Sequence, residues 1–213
     1  MEILFSFAFF LGSAQAADLN DAVQQAVERD FDSEPFSVWS MAMGDLNRDG
    51  LSDAALILVG RQTDFGRPER FVVYLGTAQG RFDQLSRSAQ FCEVRDFYEL
   101  EIREGSVFVN MGHTVGEPIR STTLQFRLEQ GVSDLRLIGE EYLEEYSLID
   151  SVFRGSINYL TGKAVYSRAN DLGRKEVTRR LRLPAIHLRG FDCSHWRSLG
   201  SEVVIDESLM VKE

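Results

Sequence analysis

The chain has 213 residues, 44% of them hydrophobic and 26% charged, enough to bury a sizeable core and too apolar for a disordered chain. Its formal charge of −10 excludes the basic footprint that non-specific binding to nucleic acid or anionic lipid requires. An acidic surface suits a soluble protein or one that collects cations.

The chain opens on an apolar run, "ILFSFAFFLG", followed by "AQA" at Ala14 to Ala16, a small-residue cleavage site. Residues 1–16 therefore read as a signal peptide, although Glu2 stands where such leaders carry Lys or Arg. The mature chain then starts near Ala17 in the periplasm or outside the cell. A run of about ten residues is too short to span a bilayer, so the protein is not expected to be integral to a membrane.

In "DLNDAVQQAVERD", Leu19, Ala22, Val23, Ala26 and Val27 recur at helical spacing, with Asp18 as N-cap. Beyond it the period changes to two. Strands are expected at 36–43, 54–59, 70–76, 98–104, 106–111, 122–129, 134–146, 156–160, 163–168 and 175–183. Tight-turn signals separate several of them: "EG" at Glu104, "QG" at Gln130, "TG" at Thr161 and "DLG" at Asp171. The fold class that follows is mainly β, antiparallel sheets in a sandwich or partial propeller with one N-terminal helix, forming a single domain over 17–213.

One stretch concentrates oxygen ligands. In "GDLNRDGLSD", residues 44–53, Asp45, Asn47, Asp49 and Asp53 take positions 1, 3, 5 and 9 of a loop with Gly50 at position 6. Calcium needs six to eight oxygens, which a short loop supplies when alternate side chains turn inward around a sharp bend. Leu51 can add its backbone carbonyl. Crowded carboxylates repel one another without a cation; the competing account is a polar turn closed by Asx bonds. An EF-hand or dockerin-type loop carries an acid at position 12, where this chain has Leu56.

The loop resembles the FG-GAP or VCBS repeat of integrin-type β-propellers, with its D-x-N-x-D-G-x-x-D spacing between strands. "FVVYLGTAQGRF" at 71–82 is similar to that repeat's next strand and turn, so the resemblance covers 44–82. It implies calcium held by Asp45, Asn47, Asp49, the Leu51 carbonyl and Asp53. A propeller needs about 4 to 8 blades, and a single copy of the loop is present, so a complete propeller is not expected. "INYLTGK" at 157–163 is similar to exported bacterial proteins that carry one such repeat, a resemblance that brings no activity. Without an acid at position 12, affinity is expected on the order of 10⁻⁴ to 10⁻³ M, a structural clip rather than a switch.

Cys92 and Cys193 form an even pair, which in an oxidising compartment points to a disulfide closing a loop of about a hundred residues, worth ~4 to 5 kcal/mol in the chain-entropy model. In "DCSHW", residues 192–196, neighbours lack the angular freedom of a catalytic triad, and a bridge with a surface His195 is the simpler account. His113 and His187 have no partner at metal-ligand spacing in the sequence. Glu140 with Glu141 and Glu144 with Glu145 are read as solvated pairs that meet the basic stretch "RKEVTRRLRL" across strands. Trp39 and Trp196, among fifteen phenylalanines and six tyrosines, are read as core.

The leading expectation is a non-enzymatic, exported, calcium-stabilised binding or interaction module with a protein or glycan partner. The alternative is a hydrolase of envelope polymer or glycan working through a pair of carboxylates.

Overall fold

The helical period and the two-residue period divide the chain into one helix followed by strands, but the helix begins at Leu11, so Asp18 lies inside it and does not cap it. The computed structural model describes residues 11–64, 66–92, 97–114, 116–129, 131–192 and 198–201. Among these, α1 (Leu11–Asp30) precedes β1 (Ser37–Gly44), β2 (Asp53–Val59), β3 (Glu69–Gly76) and β4 (Phe82–Arg87). There follow β5 (Phe97–Arg103), β6 (Ser106–His113), β7 (Ile119–Leu128), β8 (Leu135–Tyr146), β9 (Ser151–Asn158), β10 (Lys163–Asn170) and β11 (Gly173–Arg180). The first four strands make one antiparallel sheet and the other seven a second, each in sequence order. The mainly β, antiparallel expectation holds.

The molecule has three layers, and the smaller sheet is the middle one. β2 is buried along its whole length because both its faces are covered. Ala54, Leu56 and Leu58 point toward α1, packing with Val23, Ala26 and Val27, the stripe the sequence marks. Ala55, Ile57 and Val59 point the other way, into a core shared with Val107, Val109, Leu124 and Phe126 of the larger sheet. An aromatic joint ties the layers: Phe126 lies 5.5 Å from Phe71 on β3 and 5.5 Å from Phe191, which follows a short 3-10 turn at Leu188–Gly190.

The part of the larger sheet that the smaller one leaves open is lined by the chain's last described segments. Leu137 donates its amide to Ile186 at 2.8 Å, and Tyr166 its hydroxyl to the Leu199 carbonyl at 3.2 Å. Residues 198–201 lie flat on β8 and β9. A Cβ on Gly155 would sit 2.5 Å from the Gly200 carbonyl, and one on Gly200 would sit 2.4 Å from the Tyr142 Cβ, so two glycines permit the approach.

The tight turn at Glu104 and Gly105 has positive φ at both residues, 52° and 71°, the pattern that suits the twist of a hairpin. Four expectations are corrected. β4 was not anticipated, because "FDQLSR" buries only Phe82 and Ser86. The carboxylates of β8 do not meet the basic strand, since β9 and β10 lie between β8 and β11. Glu140 and Glu144 are not solvated: they are 1% and 2% exposed, while Glu141 and Glu145 do face water. Trp39 is half exposed rather than core, at a register shift in β1 with the Arg67 guanidinium 5.1 Å from its ring. Trp196 lies outside the described residues.

Candidate functional site

The 44–53 loop joins β1 to β2, and Leu46, 2% exposed, pins its first turn into the core. Gly50 supplies the bend at φ +84°. The loop's acids gather backbone amides. Asp45 accepts from Asp49 at 3.1 Å and Gly50 at 3.0 Å, Asn47 Oδ1 from Asp49 at 3.0 Å, and Asp49 from Leu51 at 2.8 Å. The Asn47 amide donates to Asp49 at 2.9 Å.

Asp53 opens β2 fully buried. It accepts from Leu46 at 2.7 Å, Asn47 at 3.3 Å and, across to β3, Gly76 at 2.9 Å. Burial pushes its carboxyl above the ordinary value, the Gly76, Leu46 and Asn47 amides pull it back in part, and the neighbouring Asp49 charge adds to the rise. The loop's own arginine, Arg48, donates to the Glu104 carbonyl at 3.1 Å.

The fit to a cation can be judged from these donors. Asp45, Asp49 and Asp53 form no ion pair with a basic side chain among the described residues. Both oxygens of Asp45 and of Asp49, and Asp53 Oδ1, keep a second lone pair after accepting one N–H, whereas Asp53 Oδ2 takes two amides. The set therefore suits a hard cation in charge and atom type. As the side chains stand they are turned to the amides, and no group of three His, Cys, Asp or Glu converges as a metal holder among the described residues. Leu56, at position 12, is fully buried and contributes nothing. Beside the loop lies an open groove of about 950 Å³ with Leu75, Leu85 and Leu128 on its floor and Arg48, Glu104 and Arg127 on its rim.

The chain matches no family model, no curated protein and no solved structure. Its chemistry is therefore read from its own side chains.

A second polar centre, missed in the sequence, sits on the inner face of β8. Arg120 on β7 reaches Glu144 through Nη2 and Nε, each at 3.2 Å, and the Tyr142 and Tyr146 hydroxyls donate to the same carboxylate. Burial opposes the charged form of Glu144, but Arg120 and the tyrosines outweigh it and hold the carboxyl below its ordinary value. Two residues beyond Tyr142's other side, Glu140 accepts from Tyr159 at 2.8 Å, Gly200 at 2.9 Å, Leu199 at 3.4 Å and the Ser198 hydroxyl. The signal was present in "EYLEEY", which places Glu140, Tyr142, Glu144 and Tyr146 on one face at period two.

Among the described residues, His113 and His187 lie on separate elements. His113 ends β6, while His187 bridges Arg136 on β8 with its Nε2 3.8 Å from Glu129. Cys92 is buried; Cys193 and His195 lie outside the described residues.

Proposed function

We propose that this protein is an exported, calcium-clipped β domain that serves as a binding module for a protein or glycan partner. One observation carries the reading: three carboxylates, Asp45, Asp49 and Asp53, are held within nine residues of a hairpin with no basic partner among the described residues. Calcium held by Asp45, Asn47, Asp49, the Leu51 carbonyl and Asp53 would supply the missing positive charge and join the ends of β1 and β2. The FG-GAP/VCBS-type spacing and the loop's place between two strands support this ligand set. The groove beside the loop, apolar below and charged at the rim, offers a partner a concave surface. Export rests on the apolar leader and the Ala14 to Ala16 site. No helix among the described residues is long and apolar enough to cross a membrane.

The experiment is thermal unfolding of the chain from Ala17 onward in chelator, in millimolar calcium and in millimolar magnesium. Calcium is expected to raise the melting temperature by ligand linkage. Asp45→Ala with Asp49→Ala should abolish that rise, with a smaller loss in chelator from the bonds to the Asp49, Gly50 and Leu51 amides. Identical curves with and without calcium would reduce the loop to a polar turn.

A Cys92–Cys193 bridge belongs to the same reading. Asp192, the residue before Cys193, bridges Gln90, and Ala89 donates to the Phe191 carbonyl at 3.1 Å, which brings the two cysteine-bearing segments side by side. Unfolding in iodoacetamide without reductant is expected to label neither cysteine, and prior reduction to label both. Labelling without reduction would exclude the bridge.

The hydrolase alternative is weaker. Glu144 is held ionised by Arg120 and two tyrosines and has no proton to give a leaving group, and the oxygens of Glu140 are taken up by Tyr159 and the Gly200 amide.

A further inference from the structure

The groove beside the 44–53 loop lies where hairpin ends of both sheets meet. The β1–β2 loop brings Arg48 to it, the β5–β6 turn brings Glu104 and Gly105, and the end of β7 brings Arg127 and Leu128. Its floor is aliphatic: Leu75, Leu85 and Leu128 are half-buried, and Val132 beside them is 44% exposed. No aromatic ring lines the groove among the described residues.

Neutral acceptors fix the two arginines. Arg48 donates through Nη2 to the Glu104 carbonyl at 3.1 Å, and its Nε lies 3.3 Å from where a Cβ on Gly105 would stand. Arg127 donates through Nε to the Ser106 hydroxyl at 3.1 Å, the residue it pairs with across β6 and β7. Both guanidinium groups are thus gathered around the Glu104–Ser106 corner, and neither meets a carboxylate among the described residues. Their neighbours do: Arg103 holds Glu101 at 3.1 Å, and Arg136 holds Glu129 at 3.5 Å. Glu129 stands on the same wall but is already engaged by Arg136, which leaves Glu104 as the one unpaired carboxylate against two guanidinium charges among the described lining residues. In a chain of net charge −10, two cations without a carboxylate at the mouth of an aliphatic groove are complementary to an anion from outside.

We propose that the groove takes an extended peptide of a partner protein in which Asp or Glu stands beside aliphatic residues. The carboxylate takes the remaining N–H groups of Arg48 and Arg127 in charge-assisted bonds, and its aliphatic neighbours cover Leu75, Leu85 and Leu128. The floor favours a peptide over a glycan, because the polarised C–H faces of a sugar ring are held by the electron-rich face of an aromatic ring, and leucine has none. This names the partner of the binding module proposed above and rests on that reading, in which calcium balances the neighbouring loop acids Asp45 and Asp49.

The test selects random twelve-residue peptides, displayed on phage, on the chain from Ala17 onward in millimolar calcium. Enrichment of Asp or Glu beside Leu, Ile or Val is expected. By fluorescence anisotropy, a labelled enriched peptide should bind more weakly as salt rises, and about tenfold or more weakly to Arg48→Gln with Arg127→Gln. Val132→Asp should weaken it without touching either arginine, and circular dichroism of both variants should match the wild type. The inference is overturned by the absence of enrichment, by enriched peptides without acids, by binding that survives both variants, or by an oligogalacturonate that binds where no peptide does. Each of these leaves the module reading standing if calcium still raises the melting temperature, whereas absence of that rise would overturn both, so the two failures are told apart.

Discussion

Phe126→Ala is expected to lower the free energy of unfolding by about 3 to 5 kcal/mol. The ring is fully buried where all three contributions to the main core meet: Phe71 from the smaller sheet, β7 of the larger one, and Phe191 from the segment after Leu188–Gly190. Phe91 extends the group, 5.4 Å from Phe71 and 5.7 Å from Phe191. Removing one ring leaves a cavity that neighbours on separate elements cannot collapse into together. Urea midpoints measure the loss, and Phe126→Leu should recover more than half of it. A loss under about 1 kcal/mol would mean that the sheets do not depend on one another through this joint.

The second large effect concerns Glu144. Truncation to Ala should cost about 3 kcal/mol, because it strands the buried Tyr142 hydroxyl and deprives Arg120 of its partner. Arg120 is half exposed, and water recovers part of that loss. The sign of the pH dependence follows from the lowered folded-state value. Glu144 contributes its stabilisation above the unfolded-state carboxyl pKa of about 4.3, and that contribution disappears as pH falls through the folded value. The gap in urea midpoint between wild type and Glu144→Gln should therefore be wide at neutral pH and close in acid. A gap independent of pH would place the energy in shape rather than charge.

How far these sites could be read from sequence depended on whether a pattern carried its own context. The stripe Leu19 to Val27 fixes its buried face by spacing alone, and "AALILV" is apolar on both faces, which marks a strand covered twice over. The loop could be located and its acids ordered for the same reason. By contrast, "EYLEEY" displays its period openly, yet nothing local says which of its faces is covered. Ser198, Leu199 and Gly200, which take up Glu140, lie 58 to 60 residues further on. Strand order failed in the same way, since two intervening strands, β9 and β10, separate the acids of β8 from the bases of β11. Trp39 was misplaced because a register shift in β1 cannot be seen in composition.

Every strand of the larger sheet pairs with its neighbour in sequence, so each hairpin closes over a short loop and can form as soon as its second arm is made. Glu140 is the exception. A chain that lacked Ser198 to Gly200 would hold this carboxylate with Tyr159 as its one remaining donor among the described residues. Docking of the segment that carries Ser198, Leu199 and Gly200 is thus what completes the hydrogen bonding of this buried side chain, a long-range step in a sheet otherwise built from neighbours.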